Sequence, residues 1–327
     1  MGVRLYHDLS AGERRVPRGT HVLGGVAYGD VAASGEAPVL TVDAPVLAGA
    51  SGATSLLLTD RPGRCGNHGP VRYCATDELV FGVVRLHDGA LEAATARAYG
   101  AVFEALDALG YPTLLRAWNY MAQINEVADG VERYRQFNAG RQAAFAASGR
   151  PRSGRVPAAC ALGTRAGPLS VAFLAGVTPF VPVENPRQVS AYHYPPEYGD
   201  LSPTFSRAGL ARVGGVDALF VSGTAAIVGH ASLHANDIDA QTRETLANLE
   251  AVVDAAGAYP GGVRHRLEHM DFTVYVRHAE DAGRVMALLR AHVGEAARAI
   301  CVQADVCRAE LLVEIEAVGG LPRGTET

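Results

Sequence analysis

The sequence predicts an α+β protein in which one unit, a mixed β-sheet with helices packed on one face, is used twice. Three observations predict it. Apolar spacing switches between the two-residue period of strands and the longer period of helices in the order strand, helix, strand, helix, strand, strand over 79–175. The same order returns over 218–318. The composition, 48% hydrophobic and 19% charged over 327 residues, suits two globular domains with cores of their own.

Each element follows from its own pattern. Residues 1–75 are rich in Gly, Pro and Ala with short apolar bursts (HVLGGVAYG, APVLTVDAPVLAG), which predicts short strands joined by turns. LVFGVVR (79–85) reads as a strand, and Leu91, Ala94, Ala98, Val102, Leu106 and Leu109 recur at helical spacing until Gly110-Tyr111-Pro112 stops the helix. A strand over 113–120 (TLLRAWNY) and a helix over 130–148 follow. The Gly/Pro/Arg-rich stretch 149–157 is the expected linker, giving an N-terminal domain over 1–150 and a C-terminal domain over 151–327. In the second half ALFVSG (218–223) answers LVFGVV, a helix through Leu246, Leu249 and Val253 answers the first helix, and FTVYVR (272–277) answers LLRAWNY. A helix through Val285, Leu289 and Val293 answers 130–148, while AICVQAD (299–305) and LLVEIEAV (311–318) answer VPAACALG (156–163) and LSVAFLA (169–175).

Charge and composition exclude several functions. A net charge of -5 argues against a protein that works by neutralising phosphates, so no nucleic-acid partner is expected. No run approaches the length of a membrane span and no signal-peptide core opens the chain, so a cytoplasmic protein without a membrane partner is expected. All 29 basic residues are arginine; the absence of lysine removes Schiff-base chemistry and a Walker-type phosphate loop. Anion recognition must therefore use guanidinium forks, which suit carboxylates. The Gly-rich stretches near Gly24 and Gly214 lack dinucleotide-binding spacing. Five cysteines without a CxxC pair, and eleven histidines without metal-ligand spacing, argue against a zinc site and a disulfide framework.

Three places stand out chemically. In Leu311-Leu312-Val313-Glu314-Ile315-Glu316 the two carboxylates share one strand face. Glu316 is expected to face water, whereas Glu314 stands where the first unit has Ala172 in LSVAFLA. An acid that the fold does not require is a general-acid candidate, because burial would hold it protonated near neutrality. Tyr134 and Arg141 lie seven residues apart, on one helix face. The stretch 184–208, with Tyr192, Tyr194, Tyr198, Arg187 and Arg207, is too long for a plain connection and too aromatic for a disordered one.

The stretches GYPTLLRAWNYMAQIN, ERYRQFNAGR, ENPRQVSAYHYPPEYG with SPTFSRA, FVSGTAAIVGH and ADVCRAELLVEIEA together resemble the chorismatase family, over about residues 78–317. The resemblance implies two RidA/chorismate-mutase-like α+β units and an enzyme that releases pyruvate from chorismate with no metal or organic cofactor. It implies substrate-binding roles for Tyr134, Arg141, Tyr194 and Arg207, and a catalytic acid at Glu314. Gly223 in the S-G-T motif and Cys307 in the D-x-C-R motif resemble the 3-hydroxybenzoate-forming branch, where hydrolytic members have alanine at both. On that branch Gly223 leaves room beside the substrate ring and Cys307 helps an arene-oxide intermediate open. The alternatives are a hydrolytic chorismatase giving a dihydroxycyclohexadiene carboxylate, a 4-hydroxybenzoate-forming one, an imine deaminase of the RidA type and a non-catalytic binding module. Because an internal duplication often replaces a subunit contact, a monomer is expected.

Overall fold

The computed structural model of the chain describes residues 2–12, 16–31, 35–47, 50–87, 89–259 and 263–323. Its amino-terminal sheet has four strands, β1 (Leu5–Ala11), β2 (His21–Gly29), β3 (Val39–Val42) and β4 (Gly52–Thr59). The first repeated unit comprises β5 (Arg64–His68), β6 (Val71–Ala75), β7 (Leu79–Leu86), α1 (Leu91–Leu109), β8 (Thr113–Ala122), a hairpin of β9 (Val127–Ala128) and β10 (Val131–Glu132), α2 (Arg133–Ala147), β11 (Ala158–Thr164) and β12 (Leu169–Gly176). The second comprises β13 (Phe180–Val183), β14 (Ala208–Val213), β15 (Val216–Thr224), a hairpin of β16 (Ile227–Val228) and β17 (Ala231–Ser232), α3 (Ile238–Gly257), β18 (Asp271–Val276), α4 (Ala282–Val293), β19 (Arg298–Gln303) and β20 (Val313–Gly319).

The two six-stranded sheets run β11-β8-β12-β7-β6-β5 and β19-β18-β20-β15-β14-β13, so every strand of one has a counterpart in the other. In both, the parallel pair (β8 with β11, β18 with β19) brackets a helix, as a parallel crossover requires. The sheets correct the expected boundary at 150/151: β11 and β12, both beyond residue 150, hydrogen-bond to β8 and β7 and so belong to the first unit. Residues 150–157 are a loop inside that unit.

The helices form where the apolar stripe predicts them. In α1 the buried face is Leu91, Ala94, Ala98, Tyr99, Val102 and Leu106, and Gly110, at φ 82°, closes the helix in the left-handed region that an L side chain resists. Asp237 caps α3 by accepting from the Ala240 amide at 3.0 Å. The helix expected over 130–148 starts at Arg133, because 131–132 pair in the β9–β10 hairpin. Helices α1 and α2 bury Tyr99, Phe103, Phe137 and Phe145 against the outer face of their sheet, and α3 and α4 bury Leu249, Val253, Val285 and Leu289 likewise. Burial of each such side chain contributes about 1.5–3 kcal/mol.

The inner faces of all three large sheets meet in a central core that includes Leu5, Tyr28, Leu57, Phe81, Trp118, Tyr120, Phe220 and Tyr275. The amino-terminal sheet is itself a helix-free version of the same unit. Its order β1-β4-β2-β3 has β2 parallel to β3 and β4 antiparallel to β1 and β2, matching β7-β12-β8-β11 in order and direction. Three equivalent strands, β2, β8 and β18, each send one tyrosine to the centre: the hydroxyls of Tyr28, Tyr120 and Tyr275 lie 2.7, 2.9 and 3.1 Å from one another.

One disulfide joins Cys65 to Cys74. The β5–β6 register sets the two directly opposite each other, a pairing that cysteine spacing alone did not reveal.

Candidate active site

A cavity of about 300 Å³ opens where the first unit's edge strand β11 meets the second unit. Ala158 bridges to Ser206, Gly163 to Asp305, and the Ser222 hydroxyl accepts from the Ala159 amide at 2.9 Å while donating to the Ser206 carbonyl. These bonds hold the two units edge to edge. All seven residues singled out from the sequence, Tyr134, Arg141, Tyr194, Arg207, Gly223, Cys307 and Glu314, line this one cavity.

The first unit supplies Tyr134 and Arg141 from α2, two turns apart on the face turned towards the second unit. Gly140 lets α2 come close to α1, since a Cβ there would sit 2.1 Å from the Glu92 carbonyl oxygen. Arg141 is buried with its guanidinium 4.8 Å from the Phe137 ring centre, and it donates to Asn138 Oδ1 at 3.0 Å. The second unit supplies a segment, 184–207, inserted between β13 and β14. In the first unit the equivalent strands β5 and β6 are joined by the turn Gly69-Pro70. The insertion carries Tyr194 and ends in Arg207, whose buried guanidinium donates to the Tyr194 hydroxyl at 2.6 Å and to the Val189 carbonyl at 2.9 Å.

Arg308, which sequence reasoning passed over, completes the cationic wall. Its guanidinium lies 3.9 Å from the Tyr198 ring centre and 5.1 Å from that of Tyr194, and it donates to the His230 carbonyl and the Ser232 hydroxyl. Its place in the motif ADVCRAE, next to Cys307, was the available signal. Arg141 Nε, Arg207 Nε and Arg308 Nη2 are all buried without a hydrogen-bond partner, and none of the three arginines forms a salt bridge among the described residues. Buried cations left unpaired in one cavity make a site for an anion, and the cost of leaving them so falls when a carboxylate binds.

Glu314 projects from β20 into the same cavity, 4% exposed. Burial, reinforced by the neighbouring charge of Glu316 and opposed by Arg116 and Arg207, pushes its carboxyl up to about 8. At neutral pH it therefore carries its proton. The Cys307 thiol is pushed up to about 12, mainly by burial and then by Glu314, so it stays a thiol. Burial also raises the Tyr134 phenol.

Three expectations are corrected here. Glu316 does not face water: it is 5% exposed, ion-paired with Arg116 of β8, and accepts from the Tyr275 hydroxyl at 3.0 Å. Its strand face looks onto the central core, because the second sheet packs against the other two. The first unit's counterpart of Glu314 is Ser170, which stands opposite Tyr120 as Glu314 stands opposite Tyr275; Ala172 matches Glu316. The sister unit still has no acid there. A methyl on Gly223 would meet not an open space beside a ring but the Glu314 carboxyl, 1.8 Å from Oε1 and 2.6 Å from Cδ.

Among the described residues no group of three or more His, Cys, Asp or Glu is arranged to hold a metal ion, and no helix is long and apolar enough to cross a membrane.

Comparison with known proteins agrees with this architecture. Residues 55–175 match the family model "Chorismatase FkbO/Hyg5-like, N-terminal", and residues 208–319 match the model "Endoribonuclease L-PSP". A chorismatase of Streptomyces rapamycinicus is 38% identical over 79% of both chains, and a 3-hydroxybenzoate synthase of Streptomyces hygroscopicus is 35% identical over 97% of both. The chain belongs to the chorismatase family. A crystal structure of a chorismatase superposes with a TM-score of 0.89 at 32% identity, covering 98% of this chain and 99% of that one. The fold is thus that of the family along the whole chain, including the amino-terminal sheet, and the protein is an enzyme.

Proposed function

We propose that this chorismatase converts chorismate to 3-hydroxybenzoate and pyruvate. One observation carries the reading: three arginines that form no salt bridge among the described residues, each with a buried and unpartnered N–H, share a cavity with a carboxyl that holds its proton at neutral pH. Chorismate has two carboxylates and an enol ether that needs a proton. Arg207 with Tyr194 and Arg308 on one side, and Arg141 with Tyr134 on the other, suit one carboxylate each and would hold the ring in a reactive pose.

Glu314 then gives its proton to the methylene carbon of the enolpyruvyl group, which becomes an oxocarbenium ion. The ring 4-hydroxyl attacks C3 as the C3–O bond to the side chain breaks. The electron pair of that bond goes to the departing oxygen, which turns the oxocarbenium ion into the neutral carbonyl of pyruvate, and the hydroxyl proton returns to Glu314. The product ring is an arene oxide. Cys307 as a thiol lends a proton to the epoxide oxygen while the C4–O bond opens; the C3 hydrogen leaves as a proton as the ring becomes aromatic, and the thiol is restored. Arg207 and Tyr134 flank these steps without exchanging protons, since the phenol is held well above its ordinary range.

Gly223 and Cys307 favour this outcome over the hydrolytic one, and the relative called a 3-hydroxybenzoate synthase supports the same choice. The test is direct: purified protein given chorismate should form 3-hydroxybenzoate and pyruvate in equal amounts, identified by mass and retention against standards. A dihydroxycyclohexadiene carboxylate as the main product would reassign the chain to the hydrolytic branch.

A further inference from the structure

The two carboxylates of β20 point the same way, so their side chains leave the strand about 7 Å apart. Of the two, only Glu316 is ion-paired among the described residues. Arg116 comes from β8 of the other unit, is 2% exposed, and ion-pairs with Glu316. Its Nη1 is buried with no partner, so the guanidinium retains a donor that a second carboxylate could take. Tyr275 repeats the choice: its backbone stands opposite Glu314, yet its hydroxyl donates to Glu316. Glu314 itself receives no hydrogen bond from any described residue that would favour its ionised form.

We propose that Glu316 is a positioning residue for the catalytic step: it detains the Arg116 guanidinium and the Tyr275 hydroxyl, so that the buried cation that β8 brings from the first unit does not neutralise Glu314. This rests on the reading of Glu314 as the acid. A carboxyl paired with a buried guanidinium would be ionised throughout the physiological range and would have no proton to give. The other groups around Glu314 cannot replace this control. Tyr134 on α2, Cys160 on β11 and Cys307 after β19 are uncharged with raised ranges. Arg207, just before β14, opposes the raised range of Glu314 only from a distance, since it donates to Tyr194 and Val189; Arg141 and Arg308 donate to Asn138 and to His230 with Ser232, and among the described residues none of the three ion-pairs with Glu314. Glu310, which also lines the cavity, is exposed.

The experiment is an infrared titration of the full chain, in which the protonated-carboxyl absorption lost in Glu314→Gln identifies Glu314 without any need for turnover. In the wild type that absorption should disappear around pH 8. Glu316→Gln keeps shape and the Tyr275 contact but removes the charge that detains Arg116; the absorption should then disappear at least about one pH unit lower, with the alkaline limb of kcat moving by the same amount. In Arg116→Met/Glu316→Gln, where the cation is gone as well, the titration should return towards that of the wild type. A wild-type titration in Glu316→Gln, or a double variant that stays as low as the single one, overturns the proposal. If the absorption shifts as expected while Glu314→Gln still turns over chorismate, the control of Glu314 stands and its catalytic reading fails.

Discussion

The two repeated units share six strands in the same order, yet they divide the work unequally. Between β5 and β6 the first unit spends two residues on a turn; between β13 and β14 the second has the segment 184–207, which brings Tyr194 and Arg207. Where the first has Ser170 and Ala172 facing inward, the second has Glu314 and Glu316. In return, the first contributes Tyr134 and Arg141 from α2, and Arg116 from β8. The difference teaches that the sheet fixes where a site can lie, at the seam between units, while a handful of inward positions and one insertion decide its chemistry.

That division can be broken most severely at Glu314. Glu314→Gln should lower kcat by about 10²–10⁴-fold while leaving affinity for chorismate within about tenfold, as steady-state and binding measurements would show. Adding Ser170→Glu to that variant should restore nothing, because no insertion stands over the sister position. The same residue sets a pH dependence. Its raised carboxyl must be protonated to act, so turnover should hold below about 8 and fall as pH rises through it. For stability the sign is the same: burial favours the neutral form, so the fold suffers no cost below the ordinary carboxylate range and a growing one as pH climbs to about 8. Glu314→Gln should therefore exceed the wild type in stability by a few kcal/mol at pH 9, and the gap should close towards pH 4, read by denaturant titration.

Next in size are the cations. Arg207→Ala and Arg141→Ala should each weaken substrate binding by about 2–5 kcal/mol, and lysine at either site should recover only part of it, for want of the planar fork. If only the second unit's arginine matters, the shared cavity is misread. Gly223→Ala must displace Glu314, whose carboxyl occupies the methyl's place, and together with Cys307→Ala it should divert product from 3-hydroxybenzoate towards the hydrated diene while pyruvate release continues. A double variant giving only 3-hydroxybenzoate would mean that product choice resides elsewhere. The smallest effect should be at Tyr194→Phe, about 1 kcal/mol in substrate binding, since Arg207 keeps its bond to the Val189 carbonyl.

Much of this was legible in the residues. Period and order predicted the duplicated units, and matching LLVEIE to LSVAFLA singled out Glu314; the sheets shift its counterpart from Ala172 to Ser170, and the sister unit still has no acid there. Arg308 was not legible in that way: as one of 29 arginines in an arginine-only chain it has no periodicity that separates it from a surface residue, and its place beside Cys307 was the one signal. Glu316 was misjudged because alternation tells which residues share a face but not whether another sheet covers that face. The amino-terminal sheet escaped for a related reason. Without helices between its strands the repeat loses its longest-period signal, and only the hydrogen-bonding order reveals it.

The three tyrosine hydroxyls mark an axis about which three like sheets are arranged, but within a single polypeptide. In a ring of identical subunits every substitution is made at all three seams at once, so an acid useful at one would be imposed on the others. Here each seam is built from its own stretches of the one chain: Arg116 meets Glu316 at one, and His7 links Asp271 to Ser55 at another. Covalent linkage has freed the seams to differ, and the molecule can keep one of them for chemistry and the rest for cohesion.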